Sequence, residues 1–479
     1  MAERTLGGPQ LAALLPGAAE ARPAYRHLAR AIGDLVLDGR IALRVRLPAE
    51  RELAVALGVS RPTVTAAYDL LRDSGYAHSR RGSGTWTALP AGRAPSGVTR
   101  ALAPPDTAID LARAAPSPPE QAVTAALAAV APHVAEHTRS PGYHPYGLPE
   151  LRAAVAERFT RRGLATVPEQ ILVTSGAQHA LTLVLGLLST PGDRVLVESP
   201  SYPNALEALR RSRLRPVSAP VTDDGWDAGL VESTLRQAVP QLAYLIPDFH
   251  NPTGLLMPDD TRARVLRAAH RCGTWLVVDE TLTDLALDVP APLPCAAHAA
   301  PGASAQVITV GSMSKSHWGG LRVGWLRAPA RLVTELAAQR VAHDLGGPVV
   351  DQLLALHFLE KAEVPERVAR LRERRDALTG ALAAHLPEWT WRQPPGGLSL
   401  WVDLGAPVAA ALAERALDYG VRIEGGACFA ADPGVFEQRL RLPFAAAPDV
   451  LREAVRRLAA ALADDRPLPS AAHRPRWIV

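Results

Sequence analysis

The sequence predicts a multidomain chain: a small helical module ending in a β-hairpin, then a large α/β domain that closes with a smaller α+β subdomain. One length and two patterns predict it. The 479 residues exceed what a single hydrophobic core organises. The first part of the chain shows three short helical stripes followed by a Gly-rich turn. Beyond residue 108, short apolar runs alternate with amphipathic helical patterns, as in an open and largely parallel sheet. At 48% apolar and 21% charged residues, the composition suits packed domains rather than global disorder.

Residues 1–22 are rich in Gly, Ala and Pro and are expected to form a loose tail. The module spans residues 23–88. Tyr25, Leu28, Ile32, Leu35 and Val36 recur at three- and four-residue steps and stop near Gly39. Two more short helices are expected around 49–57 and 62–74, and the run Gly-Tyr-Ala-His-Ser-Arg-Arg-Gly-Ser-Gly-Thr-Trp-Thr reads as two strands about a turn. Three helices and a hairpin make a winged helix-turn-helix. Residues 89–107 lose periodicity and carry several Pro and Gly, so they form a linker. If flexible, its root-mean-square reach is roughly 25 Å.

Residues 108–466 form the α/β domain. Strands are expected at Ile171-Leu-Val-Thr, Arg194-Val-Leu-Val-Glu, Leu242-Ala-Tyr-Leu-Ile, Thr274-Trp-Leu-Val-Val-Asp and Gln306-Val-Ile-Thr-Val. From about Pro329, long Ala/Arg/Leu helices mix with short strands such as Leu398-Ser-Leu-Trp-Val-Asp, which reads as the α+β subdomain. Residues 467–479 are read as a C-terminal tail.

Of 52 basic residues only Lys315 and Lys361 are lysine. Codon usage accounts for such a bias, yet it makes a retained lysine worth inspecting, because arginine cannot act as an amine nucleophile near neutral pH. The net charge of +4 is uneven: residues 23–88 hold ten Arg against six Asp and Glu, so the rest sums to zero. That hints at a nucleic-acid footprint. The longest apolar stretch, Ala180 to Leu188, is about half of a membrane span, and no secretory signal opens the chain. Three scattered cysteines argue against a disulfide framework or a zinc site. A cytoplasmic protein with no membrane partner and no metal is expected.

The segment Leu47-Pro-Ala-Glu-Arg-Glu-Leu-Ala, followed by Leu57-Gly-Val-Ser-Arg-Pro-Thr-Val-Thr-Ala-Ala-Tyr-Asp-Leu-Leu, carries the first specific signal. Ser60 is placed as an N-cap, Pro62 lies in the first turn, and Val64, Ala67, Tyr68 and Leu71 form the buried stripe. Arg61, Thr63 and Thr65 are left at the helix start, where a recognition helix meets bases and phosphates. Arg51 is placed for a phosphate, and Arg80, Arg81 and Gly84 lie in the wing, where Gly permits close approach to DNA. Solvated arginines on a small helical module are the plain alternative. The ordered run Leu-Pro-x-x-Arg-x-Leu-Ala, Gly-Val-Ser-Arg-x-Thr-Val, Gly-Tyr and Arg-x-Gly-Ser-Gly-Thr closely resembles the GntR-type winged helix, which implies double-stranded operator DNA as partner.

Lys315 lies in Gly-Ser-Met-Ser-Lys-Ser-His-Trp-Gly-Gly-Leu-Arg, directly after an expected buried strand. An amine at a strand end, with hydroxyls and glycines around it and an arginine seven residues on, suits a Schiff base to pyridoxal 5'-phosphate. Ser175-Gly176-Ala177-Gln178 opens a helix whose free N–H groups would hold a phosphate. Tyr202 follows another strand and can stack on a pyridine face. Asn251, in His-Asn-Pro-Thr-Gly, can donate to the phenolate oxygen, and Asp279 ends a strand where an anion keeps the pyridine nitrogen protonated. Arg322 and Ser312 are candidates for the phosphate, and Arg441 for a ligand carboxylate.

This series resembles fold-type I pyridoxal-phosphate enzymes of the aspartate aminotransferase class over about residues 109–465. Joined to the winged helix, the chain resembles the MocR/GabR subfamily of GntR regulators. The resemblance implies a pyridoxal-phosphate-dependent regulator that senses an amine, amino-acid or vitamin B6-related ligand, and a head-to-tail homodimer; the alternative is a working aminotransferase with an accessory DNA-binding domain. Two departures weaken the case for turnover. Thr281 and Leu282 stand where such proteins carry a tyrosine, and Tyr143 precedes Gly147 by four residues, one fewer than usual, which leaves open whether Tyr143 or Tyr146 reaches a partner's cofactor. Transaminase activity is expected to be weak at most.

Overall fold

The computed structural model describes residues 5–15, 17, 22–37, 41, 45–80, 84–88, 108–118, 120–300, 303–361, 364–432 and 434–464. The N-terminal module carries α1 (Gly8–Ala13), α2 (Ala24–Leu37), α3 (Glu50–Leu57) and α4 (Arg61–Asp73), then the antiparallel pair β1 (Ala77–Arg80) and β2 (Gly84–Thr87). The expected stripes face one core: Leu28, Ile32, Leu35 and Val36 from α2 meet Val64, Ala67, Tyr68 and Leu71 from α4. The Tyr68 hydroxyl donates to the Pro48 carbonyl at 2.9 Å, tying α4 to the entry of α3.

Part of the expected tail belongs to this module. Leu11 on α1 is fully buried and Leu15 nearly so, both in the same core. The Gly8 N–H donates to Glu52 at 2.5 Å, and a Cβ on Gly8 would stand 2.8 Å from the Glu52 side chain. One turn and a half is too short for a periodic apolar signal, so docking against α3, not local pattern, makes this helix.

The large domain opens with β3 (Ile109–Asp110), α5 (Glu120–His137), α6 (Pro149–Arg161), β4 (Ile171–Thr174), α7 (Ala177–Leu188), β5 (Arg194–Ser199) and α8 (Pro203–Arg211). It continues with β6 (Arg215–Thr222), β7 (Gly225–Trp226), α9 (Ala228–Ala238), β8 (Leu242–Leu245), α10 (Asp259–Arg271) and β9 (Trp275–Asp279). Then follow β10 (Val307–Ser312), β11 (Gly324–Arg327), α11 (Ala330–Arg340) and α12 (Val349–Glu360). One eight-stranded sheet takes the order β4-β11-β10-β9-β8-β5-β6-β7. Strands β10, β9, β8, β5 and β6 run parallel, whereas β11 is antiparallel to both neighbours and β7 to β6. The inner strands β8 and β10, and β4 at one edge, are buried along their whole length, which explains their unbroken apolar runs.

The smaller subdomain comprises α13 (Val364–His385), β12 (Thr390–Trp391), β13 (Ser399–Asp403), α14 (Ala409–Asp418), β14 (Val421–Arg422), β15 (Glu424–Gly425), β16 (Arg439–Pro443) and α15 (Pro448–Leu462). Its four-stranded antiparallel sheet runs β12-β13-β16-β15. The expected boundary near Pro329 is corrected to about residue 364. Leu332, Val333 and Leu336 of α11 are buried in the large-sheet core, and Leu353 and Leu354 of α12 pack with Val155 and Phe159 of α6. The chain also returns to the subdomain from its other end, since β3 pairs in parallel with β14.

Candidate functional site

On the DNA-reading side the structure caps and orients α4. Ser60 accepts the Thr63 N–H at 3.3 Å and shares a 2.8 Å hydrogen bond with the Thr63 hydroxyl. Arg61 remains about half exposed and pairs with Glu50 at 3.3 Å, and the Thr65 hydroxyl donates to the same carboxylate at 2.9 Å. Glu50, which the sequence did not single out, therefore positions two of the expected reading residues. Arg51 is exposed on α3. Arg80 pairs with Gly84 across the hairpin, and Arg81 lies outside the described residues. Gly84 has φ of +115°, and a Cβ there would meet the Arg46 guanidinium at 2.7 Å, so its freedom also makes room within the wing.

The second group gathers at the C-terminal ends of the parallel strands, where open α/β sheets bind ligands. After β4, Gly176 is the N-cap of α7 with φ of +86°, and Ala177 and Gln178 begin the helix. Arg322 has a left-handed φ of +49° and donates to the Ser175 carbonyl at 2.8 Å; a Cβ on Gly176 would stand 2.7 Å from its Nη2. A non-glycine residue held there is a constraint the surroundings impose, and it sets a guanidinium beside the helix start. After β10, the Ser312 and Ser314 hydroxyls lie 2.9 Å apart. Ser314 was not singled out, although the Ser-x-Ser spacing before Lys315 was the available signal. Ala177 has no hydroxyl, so at that position the helix start offers only its N–H group.

Asp279, at the end of β9, is nearly fully buried. Burial pushes its carboxyl above the usual range, opposed by hydrogen bonds from the Tyr244 hydroxyl at 2.6 Å and the Thr281 N–H at 3.0 Å. Tyr244 is a further residue the sequence did not reveal: it sits on β8, and an apolar strand carries no local sign of which neighbour its hydroxyl meets. Tyr202 packs against the large-sheet core, and its hydroxyl accepts from the Asn204 amide at 2.8 Å. The ring lies close enough to feel the charges of Asp279, Arg441 and Arg322.

Lys315 donates to the Ala114 carbonyl at 3.0 Å. Its amine is lowered to about 7, first by burial and then by Arg441, with Asp279 opposing and Arg322 adding a smaller push down. Arg441 is fully buried on β16, lies 4.9 Å from the centre of the Phe429 ring, and reaches Asn251 Oδ1 at 3.4 Å and the Ala112 carbonyl. Its Nε and the Gln178 Oε1 are buried polar atoms without a hydrogen-bond partner among the described residues. One amine, two guanidinium groups, a buried anion and a helix start thus converge on one place. That donor set fits a phosphorylated pyridine aldehyde: cations and N–H groups for the phosphate, a carboxylate for the ring nitrogen, an amine for the aldehyde.

The positions lacking the tyrosine are firmly set. Leu282 is buried in the core with Leu285 and Leu287, and Thr281 caps Asp279 through its N–H. Around them Glu280 accepts from Arg162 and the Cys295 N–H, Thr283 bonds to Asp248, and Asp284 pairs with Arg158. The two candidate tyrosines separate: Tyr143 is 70% exposed, whereas Tyr146 packs on the core with Arg152 at 5.3 Å from its ring centre.

A winged-helix module and an aminotransferase-type pocket in one chain define a class of protein, and comparison with known proteins supports both halves. Residues 107–458 match the aminotransferase class I and II family, and residues 24–86 match the bacterial regulatory proteins of the gntR family. The chain belongs to these families and, by their union, to the MocR/GabR subfamily of GntR-type regulators. It is 30% identical to the HTH-type transcriptional regulator TauR of Rhodobacter capsulatus over 480 residues, covering 91% of this chain and 96% of that protein. It is also 30% identical to the probable rhizopine catabolism regulatory protein MocR of Rhizobium meliloti, over 77% of this chain and 78% of that one. Among solved structures, LysN, the α-aminoadipate aminotransferase of Thermus thermophilus complexed with N-(5'-phosphopyridoxyl)-L-leucine, superposes with a TM-score of 0.68 at 32% identity, over 74% of this chain and 92% of that one. Among the described residues no helix is long and apolar enough to cross a membrane.

Proposed function

We propose that this protein is a pyridoxal-phosphate-dependent transcriptional regulator whose aminotransferase-like domain senses an amine-bearing ligand and thereby alters operator binding. The observation that carries the reading is the convergence of Lys315, Asp279, Arg322 and Arg441 in a chain that also presents a capped recognition helix. Lys315 would bind the cofactor covalently. Ser312, Arg322 and the N–H groups at Gly176, Ala177 and Gln178 would hold its phosphate, Tyr202 would stack on the ring, Asn251 would meet the phenolate oxygen and Asp279 the ring nitrogen. The cofactor supplies an electrophilic carbon and an electron-withdrawing ring. Arg441 would hold a ligand carboxylate.

At the other end, Arg51, Ser60, Arg61, Thr63, Thr65, Arg80, Arg81 and Gly84 would face the DNA. A head-to-tail homodimer is supported by exposed apolar residues near the site: Tyr143, Val341, Leu345 and Val350 are more than a third exposed, and Gly346 packs on the His144 backbone. Sensing works by linkage, since a ligand shifts DNA binding only by favouring one arrangement over another.

The catalytic alternative is favoured by one observation, the lowered Lys315 amine, which is free to take a proton near neutral pH. Against it, Thr281 and Leu282 leave the phenolate side without a second hydroxyl. Mixing the holoprotein with amino acids while following both keto-acid production and operator binding separates the two. Slow or undetectable transamination with altered DNA binding is the expected result. Rapid multiple turnover without an effect on DNA would promote the enzyme.

A further inference from the structure

We infer that Arg46 is a further DNA contact of the winged helix, a cation that meets a backbone phosphate beside the wing, and that Gly84 is bare in order to seat it. The inference rests on the regulator reading above and deepens it. Arg46 belongs to a short strand that joins the wing sheet. Its backbone bridges Trp86 of β2 on one side, antiparallel, and Thr5 of the N-terminal segment on the other, parallel. The Leu6 N–H donates to the Arg46 carbonyl at 2.9 Å, the Leu47 N–H to Thr85 at 2.8 Å and the Thr87 N–H to Val45 at 3.0 Å. Side chains alternate along such a strand. Val45 and Leu47 are buried in the helical core, so Arg46 projects from the opposite face of the sheet, where His78 and Trp86 form a cross-strand pair.

On that face the guanidinium is held in place. Its carbon lies 6.0 Å from the centre of the Trp86 ring, and the His78 ring stacks on the same indole at 6.0 Å and 20°. From Trp86 the side chain runs along β2 to Gly84. A Cβ on Gly84 would stand 2.7 Å from Arg46 Nε and 3.4 Å from its Cζ and Nη2. The space that the glycine leaves open is therefore filled by this chain's own arginine, and a phosphate that approaches there meets the guanidinium.

Charge points the same way. Among the described residues no carboxylate pairs with Arg46, whereas Arg61 and Arg72 of the same module pair with Glu50 and Asp69. Gly84 closes the hairpin opposite Arg80, and Arg81 follows in the sequence, so Arg46 stands at the turn that carries two further arginines. Ordering a long cationic side chain beside like charges costs rotamer entropy and Coulomb energy. A phosphate offsets both, and it accepts from a guanidinium already fixed by a ring and a glycine. Phosphate rather than base is the partner, because Arg46 lies on the sheet and not on α4, the helix that enters the groove.

The test uses full-length holoprotein with no effector added, the operator recovered by sequencing the DNA it binds, and an unrelated duplex of the same length. Fluorescence anisotropy across a salt series gives the affinity and its salt slope for the parent, Arg46→Met and Arg46→Lys. Methionine keeps an apolar stem over Trp86 without the charge. Thermal unfolding checks that the variant is folded, and Arg46→Gln is the second uncharged variant, so that a folding defect in one does not decide the outcome. Each phosphate contact contributes about 0.9 to the slope of log affinity against log salt, so a dimer using both copies should lose about 1.8 in Arg46→Met. Affinity should fall by about tenfold on both duplexes alike, because a phosphate contact carries no sequence information. Arg46→Lys should recover most of the slope. An unchanged slope in the folded, uncharged variants would overturn the contact and leave the regulator standing. A loss confined to the operator would make Arg46 a base reader and overturn the phosphate assignment. Gly84→Ala should weaken binding strongly in the parent and hardly at all in the Arg46→Met background, since both changes act on one guanidinium. The same fold-loss in both backgrounds would overturn the seating role of Gly84. A parent that binds neither duplex would sink the regulator reading and this contact with it.

Discussion

Between pH 7 and pH 10.5 the cofactor-free protein should gain stability as the solution becomes more alkaline, and the gain should vanish in Lys315→Met. The cause is the amine's lowered pKa, from 10.5 to about 7. Burial is the largest contributor, since a charged ammonium loses its hydration there, and Arg441 adds repulsion. Across that window the unfolded chain still holds a proton that the folded chain has released. The unfolded state binds more protons, so unfolding free energy rises by about 1.4 kcal/mol per pH unit. From pH 7, where the folded-state amine is half protonated, to pH 9 the rise attributable to Lys315 is about 2.3 kcal/mol. Below pH 7 both states are protonated and the contribution is flat at its least favourable.

Urea unfolding of the parent and of Lys315→Met at pH 7, 8 and 9 gives the measurement. Tyrosines and cysteines that titrate in the same range are common to both proteins and cancel in the difference. The lost hydrogen bond to Ala114 is a constant offset. With only two lysines in the chain, reductive ¹³C-methylation offers a direct check: beside the N-terminal α-amine, one of the two lysine signals should titrate near pH 7 and disappear in the variant. A parent-to-variant difference constant to within about 0.5 kcal/mol from pH 7 to pH 9 would refute the reasoning.

Other consequences can be checked separately. Lys315→Ala should abolish the visible absorbance of the bound cofactor, and so should Lys315→Arg; cofactor fixed by borohydride to Lys361 instead would contradict the assignment. Tyr244→Phe removes a 2.6 Å donor from buried Asp279, which should cost about 1–3 kcal/mol and appear as faster cofactor release, more pronounced than for a Phe substitution at exposed Tyr143. Arg61→Ala should weaken operator binding by about 1–3 kcal/mol if it reads a base and flatten the salt dependence if it meets a phosphate; unchanged affinity with an unchanged salt slope would remove it from the interface. Glu50→Gln should weaken binding less than Arg61→Ala, because it frees Arg61 and Thr65 without removing either.

Much of this protein is written in local pattern. The buried stripe Val64, Ala67, Tyr68 and Leu71 and the Ser60 cap follow from helical spacing and from one side chain's reach to an amide three residues on. The expected strands stand within two residues of where their apolar runs predict, because a strand buried on both faces leaves an unbroken apolar signature. Lys315 stood out because nearly every other cation is arginine. Helix α1 escaped because its stability comes from packing on α3. The subdomain boundary shifted because α11 and α12 look like any amphipathic helix until a sheet claims one face of them. The pocket's partnerships are of the same kind. Arg322 reaches Ser175 across 147 positions, Lys315 reaches Ala114 across 201, and Arg441 reaches Ala112 across 329. Strand order decides which of these meet, and strand order is set by which faces bury together, a free energy summed over the whole domain that no short stretch of sequence contains.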